Sequence, residues 1–331
     1  MGHPDYDFRA LDPHVRMGTA SDRYASWRGK IYSPRWDSEI KKSSKKLGGK
    51  SYAIEQVPID SVEEYYEHFS VLELDFTFYT PLIREDGNPA RSFATLEHYA
   101  NCAPPEARFL LKAPQAFSAR KVRRKEGWVE NEDYLNARGF DERFLTPALE
   151  LLDERLVGII FEQEYLRKNE RPEPVEFVAG LDGFFKEVPA NVQFHLEMRT
   201  AALHVPRYLD WLGNNGHGFV FSHSTWQKPL REQWNYVGRR FTAANGEAVV
   251  RLLTPLNLRY PQAFDLTYPF DKPVPEIAES EEGQAMVDDA AALVIEAIDQ
   301  HKTVNMVLNN RAWGSAPDLG KEIAERLDSL G

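Results

Sequence analysis

The sequence contains a single cysteine, Cys102, among its 331 residues, and this scarcity excludes two kinds of site. One cysteine cannot form an internal disulfide bond, and it cannot build a cysteine-based zinc site. Long apolar stretches are missing too, because no run approaches the roughly 18 uncharged apolar residues of a membrane-spanning helix. The first residues, MGHPDYDFRA, lack the pattern of a secretion signal and lack the Ser or Thr that myristoylation needs. These absences predict a cytoplasmic protein that does not bind membranes.

A surplus of positive charge is also absent, since the formal net charge is -11 at pH 7. This balance disfavours nucleic acid as a partner. The basic residues are nevertheless clustered in two runs, KKSSKKLGGK (41–50) and RKVRRK (120–125). Each run on its own is typical of a solvated, mobile loop. The proportions of hydrophobic residues (42%) and charged residues (27%) are those of a globular protein.

Glycine-rich phosphate loops of the GxGxxG and GxxxxGK types follow none of the apolar segments, so the usual mark of an open doubly wound sheet is missing. Eight short apolar segments instead alternate with stretches of helical character, which predicts parallel strands. Eight such units favour a closed TIM-type (β/α)8 barrel over an open sheet. No internal repeat or linker interrupts the pattern. We therefore predict an α/β fold with a single barrel domain over 1–331, including an N-terminal extension at 1–14.

The predicted strands and helices alternate along the whole chain. The strands cover 15–19, 71–76, 108–112, 157–161, 192–197, 218–222, 248–253 and 303–308. The helices cover 60–69, 92–101, 141–156, 174–188, 204–215, 280–302 and 316–330, and residues 223–247 give only a weak helix signal. A long loop follows the first strand. Both basic runs fall in strand-to-helix loops, which share one face of a barrel, so a basic rim there predicts an anionic ligand.

The segment LELDFTFY (72–79) carries two acids inside an otherwise apolar strand pattern. Strand side chains alternate between the two faces of a sheet, so Glu73, Asp75, Thr77 and Tyr79 share one face. The outer face of a barrel strand packs against helices and is apolar, which places this polar face inside the barrel. The face lies toward the C-terminal end of the strand, where barrel enzymes keep their chemistry.

Other predicted strands bring polar residues to the same end of the barrel. Strand alternation adds the inward residues Lys112, Glu197, Arg199, Arg251 and Asn309, with Asn310 at the rim. His223 lies at the same level, although the phase of its strand is ambiguous. Three acids and three cations would then meet, and such a mixed set can compensate its own charge. The cluster is either a functional site or an ion network that only closes the mouth of the barrel.

Several segments resemble one known family in their order and spacing. They are GTASDRYASWRGKIYSP (18–34), LELDFTFY (72–79), FLLKAP (109–114), GIIFEQ (158–163), HLEMR (195–199), VVRL (249–252) and LNNRAWGSAPDLGKEI (308–323). From about Val15 to Leu330 the chain resembles the YecE-like proteins, a group of TIM-barrel domains known as domain of unknown function seventy-two. The resemblance implies the barrel fold. It implies no activity, because none is established for the family.

The chain departs from the family pattern at four places. Ser21-Asp22-Arg23-Tyr24 stands where a Gly-Trp-Ser-Tyr run is typical, and Asp75 stands where asparagine is usual. Ser118-Ala119 replaces a Thr-His pair, and Leu253-Thr254 replaces a His-Gly pair. An activity that depends on those histidines is therefore not implied for this chain. The matches that remain are Glu73, Thr77, Tyr79, Lys112, Glu197, Arg199, Arg251, Asn309 and Asn310.

The first functional hypothesis is an enzyme, such as a hydrolase or lyase, that acts on a small anionic molecule. The ligand would be phosphorylated or carboxylated and sugar-like, with cations to hold it and a glutamate as general acid or base. The candidate catalytic residues are Glu73, Asp75 and Glu197, of which Glu197 is the first choice. The candidate ligand-binding residues are Lys112, Arg199, Arg251, Tyr79, Asn309, Asn310 and His223.

Two alternatives stay open. A metal-dependent phosphoesterase or nuclease would use Glu73, Asp75, Glu197 and His223 as ligands of a hard cation. No HxH or HExxH motif supports it, so we predict no metal and no other cofactor. A binding protein without chemistry would stack rings on the aromatic cluster after the first strand, although such side chains usually serve packing. That cluster is Tyr24, Trp27, Tyr32 and Trp36.

Overall fold

Eight parallel strands close into a barrel in the computed structural model, which describes residues 6–124 and 127–330. In chain order the strands are β1 (Val15–Ala20), β2 (Lys41–Leu47), β3 (Lys50–Gln56), β4 (Val71–Leu74), β5 (Phe109–Lys112), β6 (Lys121–Arg124), β7 (Gly127–Glu130), β8 (Leu156–Gln163), β9 (Phe194–Met198), β10 (Gly218–His223), β11 (Glu247–Leu252) and β12 (Thr303–Leu308). The barrel runs β1-β4-β5-β8-β9-β10-β11-β12, and β12 pairs with β1. Each predicted strand is present, which confirms the TIM-type barrel.

Helices connect the barrel strands. They are α1 (Val62–His68), α2 (Phe76–Tyr79), α3 (Arg91–Cys102), α4 (Gln115–Ser118), α5 (Ala137–Phe140), α6 (Thr146–Leu152), α7 (Pro174–Glu187), α8 (Pro206–Asn215), α9 (Leu230–Tyr236), α10 (Tyr260–Thr267), α11 (Pro275–Ala278), α12 (Glu281–Asp299) and α13 (Ala316–Leu330). The helix predicted over 141–156 begins with a π-helical turn, Asp141–Leu145, and continues as α6. The weak signal in 223–247 corresponds to α9. The sequence pattern does not predict α10 and α11, which are short and have a proline at their second and first position respectively. Within 6–124 and 127–330, no helix combines the length and apolarity that crossing a membrane requires.

Alternation along the barrel strands separates two apolar layers. The inward side chains form a small cluster that includes Val71, Leu110, Ile160, Val249 and Val307. Outward side chains of the same strands join the larger core beneath the helices. Burying one such side chain contributes about 1.5–3 kcal/mol, so both layers hold the register of each strand. That register in turn decides which polar residues at the C-terminal ends point into the barrel.

The interior also contains His195, whose ring needs the space of two glycines. A Cβ on Gly218 would lie 2.1 Å from His195 Nδ1, and a Cβ on Gly158 would lie 2.9 Å from His195 Cδ2. Neither ring nitrogen has a hydrogen-bond partner among the described residues. Burial lowers the pKa of His195 to about 3. His195 is therefore an uncharged packing residue of the barrel interior.

The first basic run forms half of a β-hairpin, so its interpretation as a mobile loop is wrong. β2 and β3 pair antiparallel around Gly48 and Gly49, which both have the positive φ that a two-residue hairpin turn requires. Lys45 pairs with Tyr52, whose ring packs edge to face on Phe264 of α10 at 4.9 Å. These contacts hold the hairpin against α10 beside the mouth of the barrel.

The second basic run forms β6, which pairs antiparallel with β7. The last residue of the run, Lys125, lies outside the described residues. Lys121 forms ion pairs with Glu130 at 3.7 Å and with Glu170 at 2.8 Å. Its charge is therefore compensated by acids of β7 and of the segment after β8. Of the two basic runs, the first contributes Lys45 to the mouth of the barrel, and no described residue of the second lies there.

Strand β4 ends at Leu74, earlier than the predicted alternation over 72–79. Asp75 has helical backbone angles, with φ at -93° and ψ at -11°, and α2 follows at once. The Thr77 hydroxyl donates to the carbonyl oxygen of Lys112 at 2.7 Å, which ties α2 to the end of β5. Of the four residues predicted to share the inward face of this strand, only Glu73 lies in β4, and Asp75 lies in the turn after it.

Candidate functional site

The C-terminal ends of the barrel strands open into a cleft of about 1120 Å³. Its walls come from the turn after β1, the β2–β3 hairpin, α2 and α10, and its floor comes from β4, β5, β8, β9 and β11. The position is that of active sites in barrel enzymes. The floor is charged rather than apolar.

Arg251 of β11 is the centre of the floor. Its Nε donates to Glu73 Oε2 at 2.8 Å and its Nη2 lies 2.5 Å from Glu73 Oε1, so the pair is bidentate. Its Nη1 donates to Glu197 Oε2. Arg251 is 3% exposed and Glu73 is fully buried. Such a charge can be buried only because two carboxylates compensate it.

Glu162 of β8 forms the second centre of the floor. Its Oε2 accepts from Lys112 Nζ and from Arg199 Nη2, both at 2.8 Å, and lies 3.7 Å from Arg251 Nη1. Arg199 Nη2 also lies 3.1 Å from Glu197 Oε1. Three glutamates and three cations are thus interlinked. We call this set, Glu73, Glu162, Glu197, Lys112, Arg199 and Arg251, the ionic floor.

The sequence analysis missed Glu162. Gly158, Ile160 and Glu162 share the inward parity of β8, so the same alternation that identified Glu73 could have found it. The predicted strand ended at Phe161, one residue before Glu162, whereas β8 continues to Gln163.

The surroundings push the pKa values of two floor glutamates in opposite directions. Burial raises the pKa of Glu73 above its ordinary value, against the attraction of Arg251. Burial would also raise the pKa of Glu162, but Arg199, Lys112 and Arg251 outweigh it and hold that pKa far below its usual range. Glu162 is therefore ionised at neutral pH. Environments that shift the pKa values of two carboxyl groups apart in this way are typical of acid–base sites.

Glu197, the first choice from the sequence, lies beneath the surface of the cleft. It is 1% exposed and does not line the cleft, because Arg251 and Arg199 cover it. Its inward position matches the predicted parity. Because Glu197 lies behind two guanidinium groups, it positions them and does not contact a ligand itself.

Asp75 and Asp22 are the acids of the cleft wall. Asp75 is half-buried, and its Oδ1 accepts from Ser21 Oγ at 3.3 Å. Asp22, which the sequence analysis did not select, is 1% exposed and accepts from the Tyr99 hydroxyl at 2.7 Å. Burial raises the pKa of Asp22 to about 6. Ser21 precedes Asp22 in the chain and donates a hydrogen bond to Asp75. Its φ of 70° is strained for serine, and such strained residues often lie at functional sites.

Two predicted ligand-binding residues do not reach the cleft. Asn310 Oδ1 accepts from Trp27 Nε1 at 3.1 Å and from the amide of Ala316 at 2.7 Å, so it links the first loop to α13. His223 points outward, because Val220 two positions before Ser222 packs inside the barrel. His223 Nδ1 lies 3.0 Å from the carbonyl oxygen of Thr254. Both side chains serve structure.

The remaining predicted binding residues line the cleft. Asn309 accepts from the amide of Arg311 at 3.0 Å, and Tyr79 is 68% exposed at the mouth. Lys112 Nζ lies 4.0 Å from the ring centroid of Phe78, which shields it from solvent on one side. Arg199 also faces the cleft.

The aromatic cluster after β1 is mainly packing. Trp27, Tyr32 and Trp36 are 0%, 1% and 7% exposed, and of the four residues only Tyr24 lines the cleft. The stacking surface expected for a ring-binding protein is therefore not formed by this cluster.

The cation ligands expected for a metal-dependent phosphoesterase are not gathered in the cleft, since His223 faces away and Glu197 is covered. In the described part of the chain, three potential ligand atoms come within 4.8 Å of one another at Asp60, His98 and Cys102. None of these residues lines the cleft.

Comparison with known proteins identifies the fold family. The model of a family described as a protein of unknown function, DUF72, matches residues 16–330. A DUF72 family structure from Thermotoga maritima is 18% identical, with a TM-score of 0.56, and the match covers 95% of this chain and 99% of that chain. One from Enterococcus faecalis is 14% identical, with a TM-score of 0.58, and covers 95% of both chains. No protein with curated annotation matches this chain.

Proposed function

The chain belongs to the DUF72 family, which carries no assigned activity, and we propose a function from its own cleft. We propose that it is an enzyme that converts a small anionic molecule, phosphorylated or carboxylated and possessing hydroxyl groups. The observation that supports this most is the local charge. Eight arginine and lysine side chains line the cleft against six aspartate and glutamate side chains, in a chain whose net charge is -11. A positive cleft in an acidic protein attracts anions.

The ionic floor would act as a rigid, preorganised surface. Each of its cations is fixed by at least one carboxylate, so their donors keep their direction when a ligand arrives. Lys112 and Arg199 have side chains that are 10% and 26% exposed, so they can offer remaining donors to the ligand. Glu73 and Glu197 hold Arg251 in place.

Asp75 would be the general acid or base. It faces the cleft, is half-buried, and forms no ion pair with any described residue. Its one hydrogen bond, from Ser21 Oγ, is long and replaceable. Glu162 is unsuited to proton transfer at neutral pH because its pKa is held low.

A thermal-shift screen tests the ligand class, with inorganic phosphate, sugar phosphates and small carboxylates compared at equal ionic strength. A ligand at 100 times its dissociation constant stabilises by about 2.7 kcal/mol, which gives a readable shift. Turnover of each binder is then followed by NMR. Asp75→Asn is expected to keep binding and to lose about 100-fold or more in turnover, while Asp86→Asn, on an exposed turn, stays active. Full turnover in Asp75→Asn would refute its role.

One observation favours a second function, binding without chemistry. All three floor cations are already compensated by glutamates, as in a structural ion network. Under this alternative, anions stabilise the protein in the screen but no binder is converted. If no anion stabilises it, the ligand class proposed above is wrong.

The cytoplasmic location stays a prediction.

A further inference from the structure

Four cations that line the cleft, Arg23, Lys45, Arg91 and Arg311, form no ion pair with any described residue, and two of these four, Lys45 and Arg311, lie together. Lys112, Arg199 and Arg251 each pair with a glutamate, whereas Arg311 and Lys45 form no ion pair with any residue in 6–124 or 127–330. Both line the cleft. Arg311 Nε is moreover buried without a hydrogen-bond partner in the same ranges. A buried donor without a protein partner is costly, so this Nε is available to a polar group that enters the cleft.

Arg311 and Lys45 are arranged around one tyrosine ring. The Arg311 guanidinium carbon lies 4.7 Å from the ring centroid of Tyr260. Lys45 Nζ lies 5.3 Å from the same centroid and donates to the Tyr260 hydroxyl at 2.7 Å. The three side chains thus present a planar donor fork, a point charge and a hydroxyl within one small region of the wall.

The supporting structure makes this region rigid. Arg311 follows β12, and Tyr260 begins α10 after β11, so both come from loops that follow the last two barrel strands. Those loops frequently bind phosphate groups in TIM barrels. Lys45 lies on β2 of the hairpin. The hydroxyl of Tyr52, on the other strand of the hairpin, donates a hydrogen bond to Asp265 of α10 at 2.7 Å. The positions of all three residues are therefore fixed before a ligand binds.

We propose that Arg311, Lys45 and Tyr260 form the subsite that holds the phosphate group of a phosphate-monoester ligand. Two uncompensated cations match the charge of a phosphate monoester, which is about -1.5 to -2 at pH 7, better than the single charge of a carboxylate. The guanidinium fork fits two phosphate oxygens and the ammonium binds a third. This subsite rests on the proposed function, because the remainder of the ligand would then lie over the ionic floor.

The proposal changes the residues to which anion binding is assigned. The sequence analysis assigns this task to Lys112, Arg199 and Arg251. An anion could reach these cations only in competition with the glutamates of the ionic floor. Arg311 and Lys45 offer their charge without that competition. The ionic floor is then left to orient hydroxyl groups.

Calorimetric titration of the full chain with inorganic phosphate, at constant ionic strength, tests the subsite. Arg311→Gln is expected to weaken phosphate binding about tenfold or more, and Lys45→Met to weaken it about three- to tenfold, since a hydrogen bond to a charged group has this magnitude. Lys46→Met is the matched control, because Lys46 is the next residue of the same strand and does not line the cleft. Circular dichroism checks that each variant is folded.

The outcomes separate this subsite from the proposed function. Loss of binding in Arg311→Gln and Lys45→Met, with normal binding in Lys46→Met, supports it. Unchanged binding in both variants combined with loss in Lys112→Met overturns the subsite and leaves the anionic ligand standing. Tighter binding of a monocarboxylate such as acetate than of phosphate overturns the phosphate assignment. No binding of any anion to the wild-type chain overturns both proposals.

Discussion

Arg251 shows at the scale of one residue why the floor of the cleft tolerates so much buried charge. Its guanidinium compensates Glu73 and Glu197 at once and lies 3.7 Å from Glu162. A buried ion pair adds little stability compared with apolar packing, but removal of one partner leaves the other charges uncompensated in a medium that solvates them poorly. The set is therefore stable only when complete.

Arg251→Met removes this charge and keeps much of the side-chain length. We expect the free energy of unfolding to fall by about 3–5 kcal/mol, as for other broken buried pairs. Urea denaturation followed by circular dichroism measures it. Arg138→Met is the control, because Arg138 pairs with Glu142 on the exposed surface and its loss should leave the free energy of unfolding almost unchanged. A fall below about 1 kcal/mol in Arg251→Met would mean that water reaches the floor freely.

The β2–β3 hairpin shows at the scale of the element how an exposed basic segment acquires a fixed position. Tyr52 packs with Phe264 and Phe270 in a small apolar cluster separate from the main core. Lys50 and the Tyr52 hydroxyl both bind Asp265, at 2.6 and 2.7 Å. Without this cluster the hairpin would be an isolated pair of strands, which is marginally stable in water.

Tyr52→Ala is expected to release the hairpin from α10 while the barrel stays folded. The lysines of 41–50 then become accessible to trypsin, because local opening exposes the backbone. Limited proteolysis with mass spectrometry should show cleavage there at least about tenfold faster than in wild type. Tyr165→Ala, which changes an exposed ring outside the cluster, serves as the control. Equal cleavage rates in the two variants would show that Tyr52 does not hold the hairpin.

The elements also show what a sequence can and cannot predict here. Strand parity depends only on local alternation, so Glu73, Lys112 and Arg251 were placed inside the barrel correctly. Glu162 was missed, and Asp75 was selected but assigned to a strand, because the ends of β8 and β4 depend on where neighbouring strands stop pairing, and β4 gives way to α2 at Phe76.

Tertiary contacts decided the other differences. The run 41–50 has the composition of a loop, and it becomes a strand because Tyr52, seven residues after Lys45, finds Phe264 over two hundred residues further along the chain. His223 was selected by proximity to Ser222, but only the packing of Val220 inside the barrel fixes its outward direction. The sequence could not identify Arg311 as a binding residue. What distinguishes it is the lack of an ion-pair partner among the described residues, and this depends on tertiary structure.

The pH dependence of stability belongs to the whole molecule, and His195 contributes a defined part of it. Its pKa is about 3 in the folded chain, compared with 6.5 for an unperturbed histidine. The unfolded chain therefore takes up a proton below pH 6.5 that the folded chain refuses. The contribution of His195 to the free energy of unfolding is therefore complete above pH 6.5, and it is lost progressively as the pH falls toward 3.

His195→Gln should make the stability of the protein less sensitive to acid. Between pH 6 and pH 4 the free energy of unfolding of wild type should fall more steeply than that of the variant, by about 1.4 kcal/mol per pH unit. Urea denaturation at pH 7, 6, 5 and 4 gives both slopes. His301→Gln is the control, since His301 is exposed. Parallel slopes for wild type and His195→Gln would show that His195 becomes protonated in the folded state.

The ionic floor draws its members from β4, β5, β8, β9 and β11, which span most of the barrel sequence. A fragment ending after β8 would contain Glu73, Lys112 and Glu162 but neither Arg199 nor Arg251. Such a half-barrel would expose its apolar interior and leave Glu73 without the cation that compensates it, so it would be an unfavourable folding intermediate. The same charges that line the cleft thus couple the first half of the chain to the second. Separately expressed halves should consequently be unable to fold until they meet.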